Sequence, residues 1–74
     1  MGYYDDIRRA NLFIDEEIKR QIYQEGKSLK VDELKLSITS TFAVGEKIVD
    51  KRIATYLKVK SDLRLLDGEL FTVG

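Results

Sequence analysis

Three lysines at positions 47, 51 and 58 fall on one side of a helix when the stretch Thr41 to Lys58 is wound at about 100° per residue. Thr55 joins them, and Ala54 at the centre keeps that side low. Ammonium groups donate to phosphate oxygens and to guanine edges, and a threonine meets a phosphate or a thymine methyl, so the set suits a nucleic acid. Asp50 sits on the same side. It repels phosphate, yet it can accept from a cytosine amino group or orient a lysine. The competing reading is a solvated helix back on which Asp50 pairs with a cation one turn away.

What the chain lacks narrows its chemistry. There is no cysteine and no histidine, which removes disulfides, thiolate nucleophiles, the usual zinc ligands and the usual general base. The Asp, Glu, Lys, Ser and Tyr residues show no catalytic spacing, and 74 residues leave little room for a substrate pocket. Neither enzyme activity nor a cofactor or metal site is expected. The 13 basic and 13 acidic side chains cancel overall but not locally. Residues 1–26 carry −2, residues 27–44 carry +1, residues 45–60 carry +3 and residues 61–74 carry −2. Screening confines electrostatics to roughly 8 Å at physiological salt, so a local basic face binds phosphate on a neutral molecule. No apolar run approaches the roughly 20 residues of a membrane span, and MGYYDDIRR places acids where an export signal needs a basic lead. The expected setting is therefore intracellular and cytoplasmic, with nucleoid association expected only if the partner is DNA. Charged residues at 35%, with one Asn and two Gln, form a bias also seen in proteins from hot environments.

The elements that must position the lysines follow from periodicity. Ile14, Ile18 and Ile22 recur every four residues, Ile7 and Ala10 extend the stripe backwards, and Gly26 suits a C-terminal cap. This predicts a helix over 14–26, with Asp15 capping its start and Glu16 and Glu17 in its first turn. An irregular or separately helical arm at 1–13 would precede it; one long helix from about Tyr4 is the alternative. Ser28 to Lys30 suits a brief strand. Val31, Leu34, Ile38 and Phe42 predict a helix over 31–43, and Leu36 falls off its stripe. Ala43-Val44-Gly45 makes a tight connection. Val49, Ile53, Tyr56 and Leu57 predict a third helix over about 46–59, with Arg52 snorkelling at the core edge rather than reading bases. The tail LRLL-DG-ELFTV predicts a hairpin turning at Asp67-Gly68. Leu65 and Leu70 share one of its faces and Leu66 and Phe71 the other, and periodicity alone does not choose between them.

In that order, with VDELKLSITSTFAVGEKIVDKRIATYL followed by LRLLDGELFTV, residues 28–73 resemble winged helix-turn-helix domains, especially small ones from archaea and their viruses and plasmids. The resemblance implies a mainly α fold with a C-terminal β-hairpin (α+β), a three-helix core plus wing over 14–74. It implies a sequence-specific double-stranded DNA-binding protein, most simply a transcriptional regulator, with the helix at about 46–59 in the major groove. Its DNA contacts are then Lys47, Lys51, Thr55 and Lys58, with Lys60 and Arg64 beside the wing. The wing turn Asp67-Gly68-Glu69 is acidic where such wings usually carry Arg or Lys, so it is expected to pack on the core or stay clear of DNA. Winged helices also serve as protein-interaction modules without DNA binding, which is the alternative function. Tyr3, Tyr4, Ile7, Leu12 and Phe13 give the arm more apolar surface than a free tail carries. A homodimer through the arm is expected, reading half-sites about 34 Å apart; otherwise these residues pack on the chain's own first helix.

Overall fold

The computed structural model describes residues 3–73, the side chain of Tyr3 excepted. Helix α1 (Tyr3–Ile18) continues as a π-helical segment (Lys19–Gln24), followed by β1 (Leu29–Lys30), α2 (Val31–Thr41), α3 (Lys47–Val59), β2 (Leu63–Leu66) and β3 (Glu69–Thr72). The fold is α+β: mainly helical, with one small antiparallel sheet ordered β1-β3-β2. No helix among the described residues is long and apolar enough to cross a membrane.

Helix α1 runs unbroken past residue 13, so the separate arm gives way to the long-helix alternative. The cause is the stripe itself: Ala10 is as buried as Ile14 and Ile18, and the helix has no break in its apolar face at which to stop. Asp15 therefore lies inside a helix rather than capping one. A strict four-residue repeat drifts about 40° per step around a 3.6-residue helix. The wider turn over Lys19–Gln24 takes up that drift and keeps Ile22 in the core with Ile18. Arg20 braces this segment, donating to both carboxylate oxygens of Glu17 at 3.0 and 2.9 Å and to Glu25 at 3.1 Å. Gly26 ends it with φ 68°, and the Lys27 N–H reaches back to the Gln21 carbonyl at 2.8 Å.

Helix α2 stops at Thr41, two residues short of the expected 43, because Phe42 takes up extended backbone at φ −120°, ψ 153°. The Phe42 ring instead meets Phe13 of α1 edge-on, with centroids 6.0 Å apart. Val44 packs against the core from the turn, and α3 begins at Lys47. Leu36, the residue off the stripe, is 69% exposed.

The hairpin turns through Asp67 at φ 53° and Gly68 at φ 76°, the two positive values that a type I′ turn requires. Strand β1 adds a third strand that the sequence pattern did not pair with anything: Leu29 lies opposite Leu70 and Lys30 opposite Glu69. The inward sheet face is the one bearing Leu29, Leu63 and Leu70, all buried, while Leu65 on the same face lies beyond the core edge. Leu66 is exposed and Phe71 half-buried on the other face. The hairpin tip is pinned to the start of α2: Val31 N–H donates to the Gly68 carbonyl at 2.9 Å, and the Ser28 hydroxyl donates to Glu69 at 2.8 Å.

Candidate nucleic-acid interface

The apolar stripe of α3 fixes its rotation, with Val49 and Ile53 buried, and so turns the lysines outward. Lys47, Lys51 and Thr55 line a shallow groove of about 500 Å³ between α3 and the first half of α1, floored by Ile7 and Ile48. Lys58 lies on the same side of α3, about 16 Å from Lys47 along the axis at 1.5 Å per residue. Lys47, Lys51 and Lys58 form no ion pair among the described residues. The Thr55 hydroxyl donates to the Lys51 carbonyl at 3.1 Å, which leaves its oxygen able to accept from a partner.

Asp50, the discordant acid of this face, is tied up from another element. Its carboxylate lies 3.1 Å from the ammonium of Lys35 on α2, not beside a cation one turn away on α3 as in the competing solvated-face reading. Hydrogen bonding to Asp50 raises the Lys35 pKa, and the contact sets the Asp50 carboxylate against Lys35 rather than against the lysines of α3. The unpaired charge left on the outer side of α3 is positive.

What holds α3 at this angle is a cluster around Asp15. Arg52 donates from Nε to Asp15 Oδ1 at 2.9 Å and from Nη2 to Oδ2 at 2.7 Å, and Tyr56 donates its hydroxyl to Oδ1 at 2.8 Å. The forked Arg–carboxylate geometry restricts both distance and direction, so it sets the rotation of α3 against α1. The Arg52 hydrogen bonds lower the Asp15 pKa, against the opposing effect of burial. Burial first, then the neighbouring carboxylate, pushes the Tyr56 hydroxyl up to about 12. Sequence reasoning placed Arg52 at the core edge but missed this partner. The available signal was Arg52 and Tyr56 four residues apart on the apolar half of α3: two polar heads at a core edge require an acceptor.

The structure does not bring Lys60 and Arg64 into the groove. The Lys60 ammonium stands over the Tyr23 ring, 5.9 Å from its centroid. Arg64 donates from Nη1 to the carbonyls of Ser61 and Leu63 at 2.6 and 3.0 Å. The Val73 N–H to Asp62 carbonyl bond makes those two residues a hydrogen-bonded pair, so the main chain of Leu63 faces outward from the sheet. Arg64 thereby covers the free edge of β2. No protein-family model, no curated protein and no solved structure matches the chain.

Proposed function

We propose that the chain is a small winged helix-turn-helix domain that binds double-stranded DNA, most simply as a transcriptional regulator, with α3 in the major groove. One observation carries the reading: three lysines that form no ion pair among the described residues share the outer side of the second helix of the α2–turn–α3 pair, while the acid among them is held by Lys35. The dimensions support it. At 13 residues α3 is about 20 Å long, and a bare helix fits a groove roughly 12 Å wide. The acidic hairpin tip, tied to Val31 and Ser28, stays back from the duplex as a wing that packs rather than reads.

Three lysine–phosphate contacts give a slope of about −2.7 in log affinity against log salt, so affinity falls about 40-fold between roughly 50 and 200 mM salt. Fluorescence anisotropy on a random-sequence duplex measures this, and Lys47→Glu or Lys51→Glu abolishes binding while leaving the thermal melt unchanged. A chain with no salt-dependent affinity for any duplex is instead a protein-interaction module, a reading that the exposed Leu66 and half-buried Phe71 on the outer hairpin face would favour. Unchanged binding in both lysine variants rejects α3 as the DNA-contacting helix.

A further inference from the structure

The side of α1 turned away from the core carries Asp5, Arg8, Leu12 and Glu16, and Lys19, the first residue of the π-helical segment, continues the line; the five are spaced three, four, four and three residues apart. That spacing draws one stripe along a helix, and it reads the same from both ends about Leu12. The charges do not read the same: they invert. Asp5 corresponds to Lys19 and Arg8 to Glu16. Four of the five side chains are exposed and Asp5 is half-buried. None of the four charged ones forms an ion pair among the described residues, although Asp5 and Arg8, and Glu16 and Lys19, each stand one turn apart. At the centre Leu12 is 57% exposed.

We propose that this face docks a second copy of the chain, the two α1 helices running antiparallel across a two-fold axis at Leu12. In that register each Asp5 faces Lys19 of the other copy, each Arg8 faces Glu16, and the two leucines meet on the axis. An isologous contact needs a surface complementary to itself, which is what a palindromic stripe with inverted charges supplies. Other arrangements fail on charge. Parallel helices set every charge against its own copy. Sliding the antiparallel pair by one turn sets Glu16 against Leu12 in one direction and Arg8 against Leu12 in the other, so the opposite-charge contacts of the stripe are lost. The charges therefore select both orientation and register, as flanking charges do in coiled coils.

The apolar residues of the arm are not the main cause of this association. Ile7 floors the groove beside α3, and Phe13 packs on Phe42. Tyr4 is 82% exposed and the side chain of Tyr3 lies outside the described residues, so Leu12 is the apolar centre of the stripe. One helix pair buries less than the roughly 800 Å² per partner of a standard interface, which makes this dimer a weak one that salt dissolves. The inference does not depend on DNA binding, and its test contains no DNA.

Sedimentation equilibrium of the full chain from about 10 µM to about 1 mM gives the association directly. The 8.6 kDa chain moves toward twice that mass at low salt and back toward monomer at high salt. Arg8→Glu sets two acid–acid contacts across the axis and Glu16→Arg sets two base–base contacts, and each weakens self-association at least about tenfold. An equimolar mixture of the two variants restores opposite charges at both contacts and associates where neither does alone. Far-UV circular dichroism melts verify that both variants are folded. A wild type that stays monomeric throughout, a single variant that self-associates like wild type, or a mixture that does not associate each overturns the proposal.

Discussion

Removing the Asp15 carboxylate tests whether one acceptor holds α3 against α1. In Asp15→Ala the guanidinium of Arg52 and the hydroxyl of Tyr56 both lose their partner. Exposed ion pairs contribute about 0–1 kcal/mol, whereas breaking a buried one costs about 3–5 kcal/mol. Side-chain exposures of 35% for Arg52 and 26% for Asp15 place this pair between those limits, at about 2 kcal/mol after discounting for solvent. The Tyr56 hydrogen bond adds about 1 kcal/mol. The total of about 3 kcal/mol is a large share of the roughly 4–11 kcal/mol available to a domain of this size. An unfolding entropy of about 2.1 cal/mol/K per residue converts 1 kcal/mol to about 6 °C, so Tm falls by about 20 °C. Tyr56→Phe alone lowers Tm by about 6 °C, and the double variant melts where Asp15→Ala does, since both act through one contact. The pH dependence has two limbs. Asp15, with its pKa lowered by Arg52, contributes fully above the unfolded value of 3.8 and loses that contribution as pH falls through its folded value. Tyr56, pushed up to about 12, contributes fully below the unfolded value of 10.0 and loses that contribution as pH rises from there toward 12. Tyr23, raised by burial and by Asp62, adds to the alkaline loss, so Tyr56→Phe flattens that limb without abolishing it. Calorimetric melts of the variants decide the matter. An Asp15→Ala protein melting within about 3 °C of wild type, or losses that simply add in the double variant, would refute the reasoning.

Two further outcomes follow from the same geometry. Asp50→Asn removes the one acid from the lysine face and frees Lys35, so duplex affinity at low salt rises about threefold in an anisotropy titration while the melt changes little; a loss of affinity would make Asp50 a base acceptor instead. A Cβ on Gly68 meets nothing within 4 Å, so Gly68→Ala carries only the backbone strain of φ 76°. That costs about 1 kcal/mol and lowers Tm by about 6 °C, and an unchanged melt would argue against the type I′ turn.

The parts of this molecule that were legible in the sequence are those whose cause is local. The isoleucines at 14, 18 and 22, the Val31–Leu34–Ile38 stripe and the Asp67-Gly68 pair each carry their own period or turn chemistry. The outward direction of Lys47, Lys51 and Lys58 followed once the buried stripe of α3 was known. What was not legible there has a non-local cause. Asp15 followed by two glutamates is a helix-start signal, but here the aspartate serves a partner 37 residues away in sequence, and Ala10 carries the helix past it. Two-residue β1 has no pattern of its own, and its identity as a strand comes from Leu70. Lys60 and Arg64 were assigned by proximity to the hairpin. Their directions are set by an aromatic ring presented from the π-helical segment and by two outward carbonyls, neither of which periodicity records.

The pairing of Leu29 with Leu70 has a kinetic consequence. This two-residue strand, with the Val31–Gly68 bond beside it, closes a ring of about forty residues that contains α2, α3 and most of the hairpin. The helices and the hairpin form through near neighbours in sequence, while the clasp must wait for the two ends of the ring to meet. A clasp of two residues a side is expected to open before the helices it encloses unfold. Hydrogen exchange at the Val31 amide, which donates across it, then reports a partial opening of lower free energy than that of the Ile53 amide in the core. The lysine-bearing helix thus lies in a stretch of chain whose two ends meet at this small clasp, in addition to the contacts α3 itself makes with α1.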